Sequence, residues 1–220
     1  MNYFQLLKKL NDIYDSLTGK KVDKKFLVKK IRHSIPFREV KIVSIETLSL
    51  PYGKFTVSGL YDPDRDEQGK PPITVEIAFP KNKIFQFDEQ NLRREHWAEL
   101  CMELASILGH EFVHLQQFRK RNFEWCKQYI SKVQDQGIKE IQEYYGDKDE
   151  IGAYAFMAAT QLSLDRISMP TYKFCVENTN LYKTYTSYFE PEDPVVREFV
   201  KLTYRYTKKL EKQYHDTTFD

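Results

Sequence analysis

The chain has 220 residues, 41% of them apolar, enough to bury a sizeable core in one domain or in one domain with a helical extension. Lys and Arg total 34 against 32 Asp and Glu, a formal net charge of +2. That balance argues against a dedicated nucleic-acid binder and against a disordered chain.

Residues 1–36 form a helical N-terminal segment by pattern. Leu6, Leu7, Leu10, Ile13, Tyr14 and Leu17 recur at helical spacing, Gly19 interrupts, and Val22 to Ile31 resumes the period. Residues 1–33 hold nine Lys/Arg against three Asp, which reads as a solvated helix face or as a docking patch for an acidic partner. Residues 37–87 predict a small antiparallel sheet. Val40–Ile45 is β-branched, Lys54–Tyr61 and Ile73–Phe79 alternate apolar with polar, and Ile84–Phe87 adds a short piece. Residues 62–72 are a loop by composition, joining an antiparallel pair.

Residues 88–168 predict the principal helices. Trp97, Cys101, Leu104, Leu108 and Leu115 lie on one face of a long helix. A second helix falls within 124–143 and a third runs from about Asp149 to Ile167. Residues 169–220 form a helical C-terminal segment. Pro170 and Asn178–Asn180 lie in a connection, and Pro194 opens a last helix through Tyr214. The order of elements predicts a single domain of α+β class.

No run reaches the roughly 20 apolar residues that span a bilayer, and the N-terminus shows no signal-peptide pattern. Cys101, Cys126 and Cys175 are scattered without a C-x-x-C pair, so they read as reduced thiols rather than metal ligands. The expectation is a cytoplasmic protein that does not enter a membrane.

His110-Glu111-Phe112-Val113-His114 lies inside the long predicted helix. Residues four apart sit one turn apart on one face, so both imidazoles can offer a nitrogen to a single ion. Zinc takes neutral imidazole and prefers four ligands, water being one of them in a catalytic site. Glu111 projects beside the histidine pair, where it can take a proton from water that the ion acidifies. A third protein ligand is needed. Glu150 is the first candidate, because the following Gly152, Ala153, Ala155, Ala158 and Ala159 allow close helix approach. Asp147, Asp149, Glu143, His96 and His215 are the other candidates. Glu150 could instead close a capping box with Asp147, and Asp149 could be the N-cap.

Gly109–His114 together with Glu150–Ala153 resembles the gluzincin class of zinc metallopeptidases, in particular its compact intracellular or phage-encoded members. The resemblance covers about a third of the chain. It implies a zincin-like domain with one Zn2+ per chain, held by His110, His114 and Glu150, and Glu111 as general base. Thermolysin-like members place an aspartate four residues beyond the glutamate ligand to orient a histidine; here that position is Tyr154, so either Tyr154 or another carboxylate supplies the support. The spacing between the two motifs also differs from theirs. The implied activity is peptide hydrolysis on a peptide or protein substrate. Tyr154, one turn after Glu150, is the candidate donor to the oxyanion, with Tyr144, Tyr145 and His215 as alternatives. In zincin folds an edge strand pairs with extended substrate, and Ile73–Phe79 is the candidate edge. Gln117, one turn past His114, either contacts the site or is solvated. Two other function classes stay open: a non-catalytic binding or assembly protein on the same scaffold, and a regulator that touches nucleic acid through its basic N-terminal helices.

Overall fold

The computed structural model describes residues 2–47, 50–51, 53–81, 84–125, 137–164 and 172–218. The fold is α+β, as predicted. The chain divides into two compact units, Met1–Phe112 and Val113–Asp220, and the division falls inside one long helix.

In the first unit, helix α1 (Tyr3–Leu17) starts where the Asn2 side chain accepts the Gln5 N–H at 3.2 Å. It buries Leu6, Leu7, Leu10, Ile13 and Leu17. Gly19, at φ +77°, turns the chain out of the helix. The helical pattern predicted from Val22 gives way there to a short strand, β1 (Lys21–Asp23). It pairs antiparallel with β5 (Ile84–Gln86). Helix α2 (Lys24–Ser34) begins after Asp23, whose carboxylate accepts the Phe26 N–H at 2.7 Å. Backbone pairing to β5 takes residues 21–23, so the helix starts at Lys24.

The main sheet holds β2 (Val40–Thr47), β3 (Thr56–Tyr61) and β4 (Ile73–Pro80), in the spatial order β2-β4-β3. The predicted antiparallel pair is β3 with β4, placing Gly59 opposite Val75. The sheet is mixed rather than wholly antiparallel, because β2 runs parallel to β4. A second correction concerns the edge: Ile73–Phe79 lies in the central strand. Ile73, Val75, Ile77 and Phe79 are fully buried. Alternation reports which face of a strand is covered, and says nothing of how many neighbours it has. The edges of this sheet are β2 and β3. The predicted loop at 62–72 contains a short helix, α3 (Pro63–Glu67), capped by Asp62, which accepts the Arg65 N–H at 3.1 Å.

Helix α4 (Arg94–Lys120) buries the predicted stripe Trp97, Cys101, Leu104, Leu108 and Leu115. Its first turns are fixed to α1 by Trp97 Nε1, which donates to the Leu10 carbonyl at 2.9 Å. The helix is stopped by two left-handed residues, Asn122 (φ +53°) and Phe123 (φ +66°), and the Phe123 N–H returns to the Phe118 carbonyl at 2.9 Å.

The second unit continues with α5 (Lys139–Tyr145), α6 (Lys148–Leu164), α7 (Tyr172–Asn178), α8 (Asn180–Tyr188) and α9 (Pro194–Thr218). Ile151, Ala155, Ala158 and Leu162 of α6 join Val195, Val196 and Phe199 of α9 in one core, with Tyr185 stacked on Phe199 at 4.4 Å. Ala155 and Ala158 of α6 thus serve its packing on α9, where short side chains let two backbones approach. The predicted connection at 178–180 reduces to Thr179, whose hydroxyl accepts the Tyr182 N–H at 3.1 Å and caps α8. Of the second predicted helix, α5 occupies the end; residues 126–136, with Cys126, and Pro170 lie outside the described residues. Among the described residues no helix is long and apolar enough to cross a membrane.

Candidate metal centre

His110 and His114 sit one turn apart in the C-terminal half of α4, and Glu150 sits in the first turn of α6. The three form a group whose possible ligand atoms all lie within 4.8 Å of one another. His114 Nε2 is 3.5 Å from Glu150 Oε1. A tetrahedral centre with bonds of ~2.1 Å separates its ligand atoms by roughly 3.4 Å, so this pair already stands at a coordination edge. His110 and His114 are 7% and 8% exposed. Two imidazoles and a carboxylate, gathered and largely withdrawn from water, are a group that could hold a metal ion.

The other candidate ligands are occupied differently. The Asp149 carboxylate takes both prongs of the Arg121 guanidinium, Nη1 donating to Oδ1 at 2.8 Å and Nη2 to Oδ2. Asp147 Oδ1 accepts the Asp149 N–H at 2.8 Å, an N-terminal capping role, so the cap falls to Asp147 and leaves Glu150 to face His114. Glu143 pairs with Lys139 at 3.7 Å. His96 is near the start of α4, where its Nε2 accepts from Arg93 Nη2 at 3.0 Å. The side chain of His215 lies outside the described residues.

Glu111 is 5% exposed and packs against the edge strand β3. A Cβ on Gly59 would fall 2.6 Å from Glu111 Oε1 and 2.6 Å from Ile107 Cγ2. Only a glycine lets β3 lie this close to the helix. Gly59→Ala is therefore expected to force strand and carboxylate apart, costing about 1–3 kcal/mol in a thermal or urea melt. An unchanged melting midpoint would show that the approach is not tight. The Val57 N–H donates to Glu103 Oε1 at 3.4 Å rather than to β4. Backbone groups alternate in an antiparallel ladder, so the same register turns those of Gly59 away from β4.

Tyrosines surround Glu150. The Tyr154 and Tyr144 hydroxyls are 3.1 Å apart. Burial pushes the Tyr144 phenol up to about 12, with the Glu150 carboxylate adding to the rise. Burial also raises Tyr154, with Tyr144 adding to it. Both phenols hold their protons at neutral pH and are O–H donors. The Tyr145 ring packs on Tyr154 at 5.3 Å and stacks on Tyr188 at 5.4 Å, so it serves the core.

Gln117 was left undecided between site and solvent by its position alone. The structure places its amide between the two helices: Oε1 is 3.1 Å from His114 Nδ1, and Nε2 donates to the Asp149 carbonyl at 3.1 Å. The i, i+3 spacing from His114 is the signal that pointed to it. No family model, curated protein or solved structure matches this chain.

Proposed function

We propose that the protein is a zinc-dependent hydrolase of gluzincin type that cleaves peptide bonds. One observation carries this reading: His110, His114 and Glu150, the last 36 residues after His114, converge to within 4.8 Å. Those three residues would hold the ion. A bound zinc ion supplies Lewis acidity, which acidifies water toward a pKa of about 7 and polarises a carbonyl.

The chain's own groups do the rest. Glu111 follows His110 directly and is the general base, taking the proton of the attacking water and returning it to the leaving amine. Its burial under β3 holds the carboxylate still. The open edge of β3 offers backbone groups for pairing with an extended peptide. Tyr144, the more exposed phenol at 47%, donates to the developing oxyanion, and the Tyr154 hydroxyl steadies it. Tyr154, the first candidate by sequence, then acts through Tyr144.

The experiment is hydrolysis of a mixed peptide library by protein loaded with one equivalent of zinc, read by mass spectrometry. Cleavage that stops with a chelator and returns with zinc is expected. Absence of cleavage in zinc-replete protein across the library would contradict peptidase activity.

A further inference from the structure

We propose that Gln117 is a positioning residue, holding His114 in the tautomer a metal needs and tying it to the helix that carries Glu150. This rests on the metal-centre reading above. A neutral imidazole carries one proton and keeps one lone pair. Which nitrogen keeps the lone pair is decided by the partner of the other.

The hydrogen-bond chain decides it here. The Asp149 carbonyl only accepts, so the nitrogen end of the Gln117 amide must face it, at 3.1 Å. Turning the amide over would oppose two oxygens at that distance. The oxygen end therefore faces His114, 3.1 Å from Nδ1. An oxygen acceptor there calls for an N–H, so Nδ1 carries the proton and Nε2 keeps its lone pair. Nε2 is the nitrogen 3.5 Å from Glu150 Oε1.

The far end of the chain is anchored as well. Asp149 is gripped by Arg121 through its side chain and by Asp147 through its N–H. Asp149 immediately precedes Glu150. One amide thus sets the tautomer of one ligand and the backbone position beside another, on two helices. Gly152 makes room for it, since a Cβ there would lie 2.8 Å from Gln117 Nε2.

The test uses the metal-free protein and the zinc-loaded protein in turn. Long-range 15N–1H correlation spectra of the His114 ring report the tautomer without any metal. Competition with a chromophoric chelator reports zinc affinity. Wild type should show His114 as the Nδ1–H form. Gln117→Leu should lose that single form and bind zinc about 10–100-fold more weakly. Gln117→Glu keeps an oxygen acceptor at Nδ1 and should keep the tautomer, while it loses the donor to the Asp149 carbonyl and with it the tie to the Glu150 helix. Gly152→Ala displaces the amide without removing it, so it should reproduce the Gln117→Leu spectrum if that variant folds poorly. An Nε2–H ring in wild type, or unchanged tautomer and affinity in both Gln117→Leu and Gly152→Ala, would overturn the proposal. A wild type with the Nδ1–H form that takes up no zinc would instead overturn the metal reading, and with it the purpose given to Gln117.

Discussion

Glu111→Gln is expected to retain one zinc per chain and to lose hydrolysis by about 10²–10⁴-fold, the usual contribution of a general base. The substitution keeps size and shape, so the approach of β3 at Gly59 is undisturbed. It removes the one property the mechanism asks of residue 111, a carboxylate that can take a proton. The loss should appear in kcat, with metal content unchanged, because Glu111 lies outside the group formed by His110, His114 and Glu150. Turnover at the wild-type rate would remove Glu111 as the base while leaving the metal site untouched.

Glu150→Ala should cost more in zinc affinity than the roughly 10–100-fold that follows loss of a supporting hydrogen-bond partner. Glu150 is the single carboxylate in the group, and a pair of imidazoles on one helix cannot close a tetrahedral shell. Asp149→Asn is the matched control. It weakens the Arg121 pair but keeps the backbone carbonyl that holds Gln117, so its effect should be much smaller. Circular dichroism of both variants separates metal loss from unfolding. Equal affinities in the two variants would move the third ligand away from Glu150.

The helical parts of this fold were readable because their periods are long. The stripe from Trp97 to Leu115 and the proline at 194 mark α4 and α9 in the sequence itself. The sheet was read less well. Ile73–Phe79 is the last clear strand pattern before α4 and the candidate edge on that ground, yet β2 pairs with its other side, and a parallel neighbour leaves no mark on a single strand's pattern. Val22 fits the helical period, but three residues of pairing to β5 override so short a stretch of it. At the site, the histidine spacing is fixed by helix geometry, so the pair was legible. The Glu150 approach depends on Gly152 meeting Gln117, a contact between helices 35 residues apart in sequence. The gluzincin resemblance implies support of a histidine by Tyr154 or by another carboxylate. The structure gives that task for His114 to Gln117, three residues after it on its own helix, and leaves Tyr154 bonded to Tyr144.

In the proposed centre two imidazoles from one helix and a carboxylate from another hold a single ion. Zinc X-ray absorption on protein loaded with one equivalent and passed through a desalting column tests it directly. One retained zinc per chain is expected, with two imidazole nitrogens at about 2.0–2.1 Å and the remaining ligands oxygen. A chain that releases its zinc on the column, or a spectrum with sulfur or a single imidazole in the shell, would contradict it.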